Sequence, residues 1–398
     1  MKQQDIYQQN DYSYYLQVHN RYPITLVKGK GSHIWDSNGK KYIDVLAGIA
    51  VNSVGHCHPR VRKAICRQAK ELGHISNFYL SKPQAQLAKS LSEHSGLDRT
   101  FLCNSGAEAN EAAFKMARKY AHSKGRGGTI IALENCFHGR TLATIATGKA
   151  KHQEGFEPLP GGFKKVPAND ISAIRELITD EVAGIIIEPV QGEGGIRIMD
   201  EEYLQQVREL CDTHDICLIF DEIQCGMGRT GTLFAFEHYN ITPDIMTLAK
   251  ALGGGLPIGA MLSKQSVANA MSYGDHSTTF GGNPISCAAA LEVLQILDKE
   301  SLPQRAHILG TTAMQRLQEY ARQEEAIIEV RGLGLMIGVE LNIKGRPVIN
   351  RMLEKGVLAN VTGDKIIRFL PPLNISEKDF NKAIDIFIES LQEVKSEI

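Results

Sequence analysis

The sequence predicts an α/β protein in which a large, mostly parallel sheet is covered by helices and a smaller α+β unit follows. Three observations predict this. The chain has 398 residues, 43% hydrophobic and 22% charged, which is close to the globular norm and long enough for two or three domains. Short apolar runs alternate with amphipathic helical patterns through its middle, the signature of parallel strands with helices on both faces. After Pro303 the texture changes to strands separated by glycines, and the chain closes on one long helix.

Residues 1–45 are too few for a core of their own and are expected to pack on the rest. The large domain is expected over 46–300 and the small one over 301–398. The first well-placed helix begins at Ser105, the N-cap of a capping box that Glu108 completes. Apolar positions 109, 112, 113, 116, 117 and 120 follow at helical spacing, and Glu111 can pair with Lys115. Strands are expected at Thr129–Leu133, Gly184–Ile187, Cys217–Phe220, Ile245–Leu248 and Ile258–Leu262, with a helix over Glu201–His214. In the C-terminal region, Ile327–Val330, Leu335–Leu341 and Ile366–Leu370 read as strands. The last helix starts at Ser376 with Asp379 completing the cap, and apolar positions 380, 383, 384, 387, 388, 391 and 394 form one stripe.

Composition excludes several functions. Lys and Arg number 44 against 45 Asp and Glu, a net charge of -1, so the basic excess of a nucleic-acid binder is missing. The local group Arg60, Arg62, Lys63 and Arg67 reads as a solvated helix face. No stretch approaches the roughly 18 apolar residues of a membrane span. The first 20 residues have neither an apolar signal core nor an Arg-rich transit character, so a cytoplasmic location is expected. The eight cysteines are scattered without a CxxC pair and read as small buried hydrophobes. His56-Cys57-His58 has no partner cluster, so no metal is expected.

In an open α/β sheet, ligands bind outside the carboxyl ends of the strands. Just past the apolar runs stand Phe137-His138-Gly139-Arg140, then Glu188 to Glu193, then Asp221, Glu222 and Gln224, then Lys250 before a run of glycines. Gathering these charges at one end of a sheet is costly unless they pair or bind something. A lysine in a partly dry site becomes a nucleophile toward aldehydes. The Ser105-capped helix start suits a phosphate. A carboxylate ending a buried strand, Asp221, can hold a protonated pyridine nitrogen. Together these are the requirements of pyridoxal 5'-phosphate (PLP).

The motifs LAGIAVNSVGHCHP (46–59), CNSGAEANEAAFKMARKY (103–120), FHGRT (137–141), EPVQGEGG (188–195), FDEIQCGMGRTG (220–231), LAKALGGGLPIGA (248–260) and TTFGGNP (278–284) together resemble the class III, fold-type-I PLP aminotransferases. Within that class the wording is most similar to the acetylornithine aminotransferases of arginine biosynthesis, and the resemblance runs from Arg21 to the last helix. It implies that Gly106 and Ala107 hold the cofactor phosphate and that Phe137 stacks on the ring. Within the strand-end segment Asp221, Glu222, Ile223 and Gln224, it implies that Asp221 pairs with the ring nitrogen, Ile223 packs on the ring and Gln224 reaches the phenolic oxygen. Lys250 matches the Schiff-base lysine, and Thr279 matches a residue reaching the phosphate of the neighbouring subunit, so the resemblance implies a homodimer with shared active sites.

The substrates implied are a small amino donor and a 2-oxo acid. Arg140 matches the arginine that grips the acetylornithine carboxylate, with Thr278 its neighbour at the dimer boundary. Arg368 matches the arginine for the α-carboxylate of glutamate, and Glu188 the acid expected to pair with it and mask it. The implied reaction exchanges N-acetylornithine and 2-oxoglutarate for N-acetylglutamate 5-semialdehyde and glutamate. A sister enzyme acting on succinylornithine, ornithine or 4-aminobutyrate is the alternative within the class, with Tyr22 near the region where ornithine enzymes carry a tyrosine. A non-catalytic phosphate-binding α/β protein is the alternative outside it, and Lys250 argues against that.

Overall fold

In the computed structural model, which describes residues 3–397, seven strands form the central sheet. They are β1 (Arg99–Cys103), β2 (Thr129–Leu133), β3 (Phe163–Val166), β4 (Val182–Ile187), β5 (Cys217–Asp221), β6 (Ile245–Leu248) and β7 (Gly259–Ser263). Their order is β1-β7-β6-β5-β4-β2-β3. β7 runs against both its neighbours, and the pairs from β6 through β3 are parallel. The apolar runs are continuous because both faces are covered. Ile185, Ile187, Leu218 and Phe220 enter one core cluster, while Ile186, Cys217 and Ile219 enter another, as period-two alternation requires. β1 and β3 escape the sequence pattern because they are the sheet's edges: β3 reads Phe-Lys-Lys-Val with both lysines exposed.

The helix Gly106–Ser123 packs its alanine-rich face on this sheet, and Ser105 Oγ accepts from Glu108 N at 3.2 Å. The reciprocal half of the capping box differs from expectation. The Glu108 carboxylate accepts from Asn104 N (2.5 Å) and Asn104 Nδ2 (3.2 Å), one residue earlier than the N-cap. Nor does Glu111 pair with Lys115. Glu111 accepts from Thr141 Oγ1 (2.5 Å), and Lys115 Nζ donates to Asp275 O (2.9 Å), because both side chains find partners off the helix. Six of the eight cysteines are buried, but Cys57 and Cys66 are exposed. Cys57 lies in a turn with positive φ, and Cys66 lies on the solvent side of Pro59–Glu71.

Four antiparallel strands form the C-terminal sheet: β8 (Ile327–Leu333), β9 (Met336–Leu341), β10 (Asn360–Thr362) and β11 (Ile366–Phe369), in the order β8-β9-β11-β10. The helix Glu377–Ser396 covers it, started by Ser376 Oγ accepting from Asp379 N at 3.0 Å. Phe380 and Phe387 meet Phe369 edge-on. Near the other terminus, Leu26–Lys30, His33–Asp36 and Lys41–Asp44 form an antiparallel set whose last strand pairs in parallel with Val357–Leu358. The two ends of the chain therefore share a sheet.

Arg229 ties these parts together. It is fully buried, and its Nη1 donates to Leu335 O (2.9 Å) and Pro371 O (2.6 Å) while Nη2 donates to Ser53 Oγ (3.1 Å). With carbonyls and a hydroxyl as acceptors, burial pushes its pKa down to about 9. Among the described residues, no helix is long and apolar enough to cross a membrane, and no cluster of three His, Cys, Asp or Glu could hold a metal. His56 instead bonds Asp44 at 2.6 Å.

Candidate active site

A cavity of about 360 Å³ opens at the carboxyl ends of β5 and β6, facing the start of the Gly106–Ser123 helix. Ser105, Gly106, Ala107, Phe137, Glu188, Asp221, Ile223, Gln224 and Lys250 line it. Val51, Leu256 and Pro257 are also part of its wall, and none of the three carries a chemical signal in the sequence. Val51 follows a left-handed turn in which Ala47, Gly48, Ile49 and Ala50 all have positive φ. Asp44 Oδ1 starts that turn by accepting from Leu46 N and Ala47 N at 2.9 Å.

The helix start offers backbone amides that no preceding turn can satisfy. Gly106 lets Ile223 approach the helix start closely, since a Cβ would fall 2.7 Å from Ile223 Cδ1 and push that side chain away. Gly139, with φ of 141°, brings the 137–140 loop onto the same helix end, where a Cβ would meet Ala107 Cβ at 2.7 Å.

Asp221 is buried at the end of β5 and heavily bonded. Its Oδ2 accepts from Asn110 Nδ2 (2.8 Å) and His138 Nδ1 (2.6 Å), and its Oδ1 from Ile223 N (3.0 Å). Asn110 is oriented in turn by Thr247 Oγ1, which donates to its Oδ1 at 2.8 Å. Burial opposes charge on His138, but Cys136 and the bonded Asp221 carboxylate outweigh it and hold its pKa well above the usual imidazole range. Neither Asn110 nor the His138 contact was anticipated. The available signal was an asparagine inside the helix's buried alanine stripe.

Lys250 follows β6 and takes a positive φ of 44°, an uncommon conformation for a side-chain-bearing residue. Its surface is partly open to the cavity, yet protein crowds it closely. Desolvation lowers its pKa, Arg368 adds to this, and Glu193, Asp221 and Glu188 partly restore it.

Arg368 is fully buried on β11 and points back to this group. Its partner is not Glu188. Arg368 Nη1 meets Glu193 Oε1 at 2.5 Å, and also donates to Gly192 O and Gln224 Oε1 at 3.2 Å. Arg368 Nε donates to Asn360 Oδ1 at 3.2 Å. Burial works against ionisation of Glu193, but Arg368 foremost, then Lys250 and Gln224, hold its pKa below the usual range. The Glu188 carboxylate is turned elsewhere, accepting from Phe137 N (3.0 Å) and Gly192 N (3.4 Å). Burial pushes its pKa up to about 7, with Asp221 adding and His138 opposing.

Other expected residues stand outside the cavity. Arg140 is exposed at its rim, 5.4 Å over the ring of Phe137. Glu222 is buried but engaged by backbone, accepting from Ala235 N (2.6 Å) and Phe236 N (2.8 Å), and burial pushes its pKa up to about 8. Thr278 Oγ1 accepts from Asn104 Nδ2 at 3.1 Å, and Thr279 is exposed. Tyr22 lies under Arg346 at 4.0 Å and does not line the cavity.

The sheet order and the lysine-centred cavity define a fold-type-I transferase. The class-III aminotransferase profile matches residues 14–391. The chain is 57% identical to the acetylornithine aminotransferase of Methanocaldococcus jannaschii over 97% of this chain and 96% of that protein. It is 44% identical to the succinylornithine transaminase of Yersinia pseudotuberculosis, covering 93% and 92%. A structure of the ornithine aminotransferase from Toxoplasma gondii, crystallised with oxidised glutathione and described with partial occupancy of PLP at its active site, superposes with a TM-score of 0.96 at 36% identity, covering 100% of this chain and 96% of that one. The chain belongs to the class-III aminotransferase family.

Proposed function

We propose that this enzyme is a PLP-dependent acetylornithine aminotransferase, converting N-acetylornithine and 2-oxoglutarate to N-acetylglutamate 5-semialdehyde and glutamate, a step of arginine biosynthesis. The observation that carries this reading is the contrast between two arginines near one lysine. Arg368 is buried against a carboxylate, whereas Arg140 has no carboxylate partner among the described residues. Glutamate bears its α-carboxylate on the reacting carbon, but acetylornithine reacts at the far end of its chain. One fixed clamp cannot serve both, because the reacting nitrogen must always meet the same point.

The residues fit the cofactor. The amides of Gly106 and Ala107 suit its phosphate, bonded Asp221 suits a protonated ring nitrogen, Phe137 offers a flat aromatic face and Ile223 an apolar one, and Gln224 supplies a polar group. Bound there, PLP supplies a carbonyl for amines and a sink for electrons. Asp221, held by His138 and Asn110, would supply the charge that keeps the ring nitrogen protonated. Lys250 Nζ, already biased toward the neutral amine by burial, would serve as the base that takes the proton from the donor carbon and as the acid that gives it back in the 1,3-shift. Arg140 receives the donor's distal carboxylate. Arg368 receives the α-carboxylate of the 2-oxo acid once Glu193 moves aside.

We read the active unit as a cytoplasmic homodimer. Thr279 lies off its own cavity, and beside it Phe78, Leu80 and Phe280 are 93%, 98% and 61% exposed, an apolar patch suited to a second copy. Eight free cysteines suit a reducing compartment. A steady-state panel of donors with 2-oxoglutarate tests the substrate. N-acetylornithine should give the highest kcat/KM. A higher value with succinylornithine, ornithine or 4-aminobutyrate refutes the assignment.

A further inference from the structure

We propose that His152 is a positioning residue for Arg140, holding the guanidinium across the face of Phe137 at the mouth of the site. This rests on the reading of Arg140 as the clamp for the donor's carboxylate. Three side chains close a triangle. Arg140 lies over the Phe137 ring at 5.4 Å, its Nη2 donates to His152 Nε2 at 3.3 Å, and His152 meets Phe137 edge-on, with centroids 6.2 Å apart and planes at 88°. Phe137 lines the cavity, so the triangle fixes the arginine to the rim of the reacting pocket.

His152 ends the short turn Ala150–His152, and that turn is anchored independently of Arg140. Gln153 Nε2 donates to Ile145 O at 2.8 Å and Gly148 O at 3.2 Å, and Lys149 Nζ donates to Glu193 O at 3.2 Å. The imidazole therefore offers a fixed acceptor to an otherwise exposed side chain.

To accept at Nε2 the ring must be neutral, with its proton on Nδ1. Burial, then Arg140, Lys149 and Lys151, hold its pKa below the usual range, and Glu193 opposes them. The choice of acceptor matters. Glu193 neutralises Arg368 while holding it, whereas an uncharged imidazole orients Arg140 and leaves its charge available to a carboxylate.

Two variants separate the hydrogen bond from the packing. His152→Phe keeps a ring against Phe137 and removes the acceptor, and His152→Gln restores an acceptor. In His152→Phe the KM for N-acetylornithine should rise about tenfold, the worth of one hydrogen bond to a charged group. The kcat and the KM for 2-oxoglutarate should hold, and His152→Gln should recover most of the loss. On an Arg140→Ala background, His152→Phe should add nothing. An unchanged donor KM in His152→Phe alongside a raised one in Arg140→Ala overturns the proposal alone, as does failure of His152→Gln to recover. An added loss on the Arg140→Ala background makes His152 a direct substrate contact and also overturns it. An unchanged donor KM in Arg140→Ala overturns the reading of Arg140 and the proposal with it.

Discussion

Replacing Glu193 with Gln removes the carboxylate that pairs with Arg368 while keeping its size. The remaining contacts of that guanidinium, to Gly192 O, Gln224 Oε1 and Asn360 Oδ1, are all to neutral acceptors at 3.2 Å. On the proposed role of Arg368, a 2-oxo acid displaces the Glu193 carboxylate from its 2.5 Å contact. A hydrogen bond to a charged group contributes about 1.5–3 kcal/mol, or roughly ten- to a hundredfold in binding. Glu193→Gln should therefore lower the KM for glutamate and 2-oxoglutarate by about tenfold or more and leave that for N-acetylornithine unimproved. A second effect follows from the same charge. Glu193 favours the ammonium form of Lys250, so its loss should move the base-dependent limb of the rate to lower pH. Single-turnover kinetics with each donor, repeated across pH, measures both. An unchanged ratio between the two donors refutes the masking argument, and so does finding the shift in Glu188→Gln instead.

Lys250→Ala should abolish turnover and the absorbance band of lysine-linked cofactor while preserving far-UV dichroism; borohydride fixing the cofactor on another lysine contradicts the assignment. Mixing inactive Lys250→Ala chains with an inactive Thr279 variant should restore activity through one repaired site, and a fully active monomer in sedimentation contradicts shared sites. Glu222 has a folded pKa raised to about 8, so its stabilising contribution is complete below the unfolded carboxylate range and is lost as pH rises through about 8. Apoprotein Tm should fall as pH rises from about 5 to about 9, the window that the raised pKa spans, and Glu222→Gln should flatten that fall; an unaltered slope refutes it.

Much of the fold was legible because buried parallel strands leave uninterrupted apolar runs. Thr129–Leu133 and Ile245–Leu248 match their strands end for end. Edge strands carry no such run, and β1 and β3 were invisible for that reason. Caps were legible to within one residue. Ser105 caps its helix as read, but Glu108 reaches Asn104, where a side-chain amide adds a second donor. The site was legible in which residues gather and less so in which way they face. Glu188 and Glu193 flank the short strand Val190–Gln191 in one motif, and only the folded turn shows that Glu193 meets Arg368 while Glu188 turns to Phe137 N. His152 carries no motif at all; its place at the rim is set by the path of the chain between Gly148 and Gln153.

The acceptors around Arg229 bear on how the protein can be made. Ser53 lies 176 positions before it, and Leu335 and Pro371 lie 106 and 142 positions after it. Synthesis runs from the N-terminus, and domains tend to fold as they emerge. The seven strands of the central sheet are all complete by Ser263, yet the arginine at the heart of the structure then still awaits the carbonyls of Leu335 and Pro371. The strand Lys41–Asp44 likewise waits for Val357–Leu358. A nascent chain thus stays unfinished until its last stretch leaves the ribosome, and a product truncated before Pro371 is left with an interior guanidinium short of acceptors, the kind of defect that quality-control proteases find.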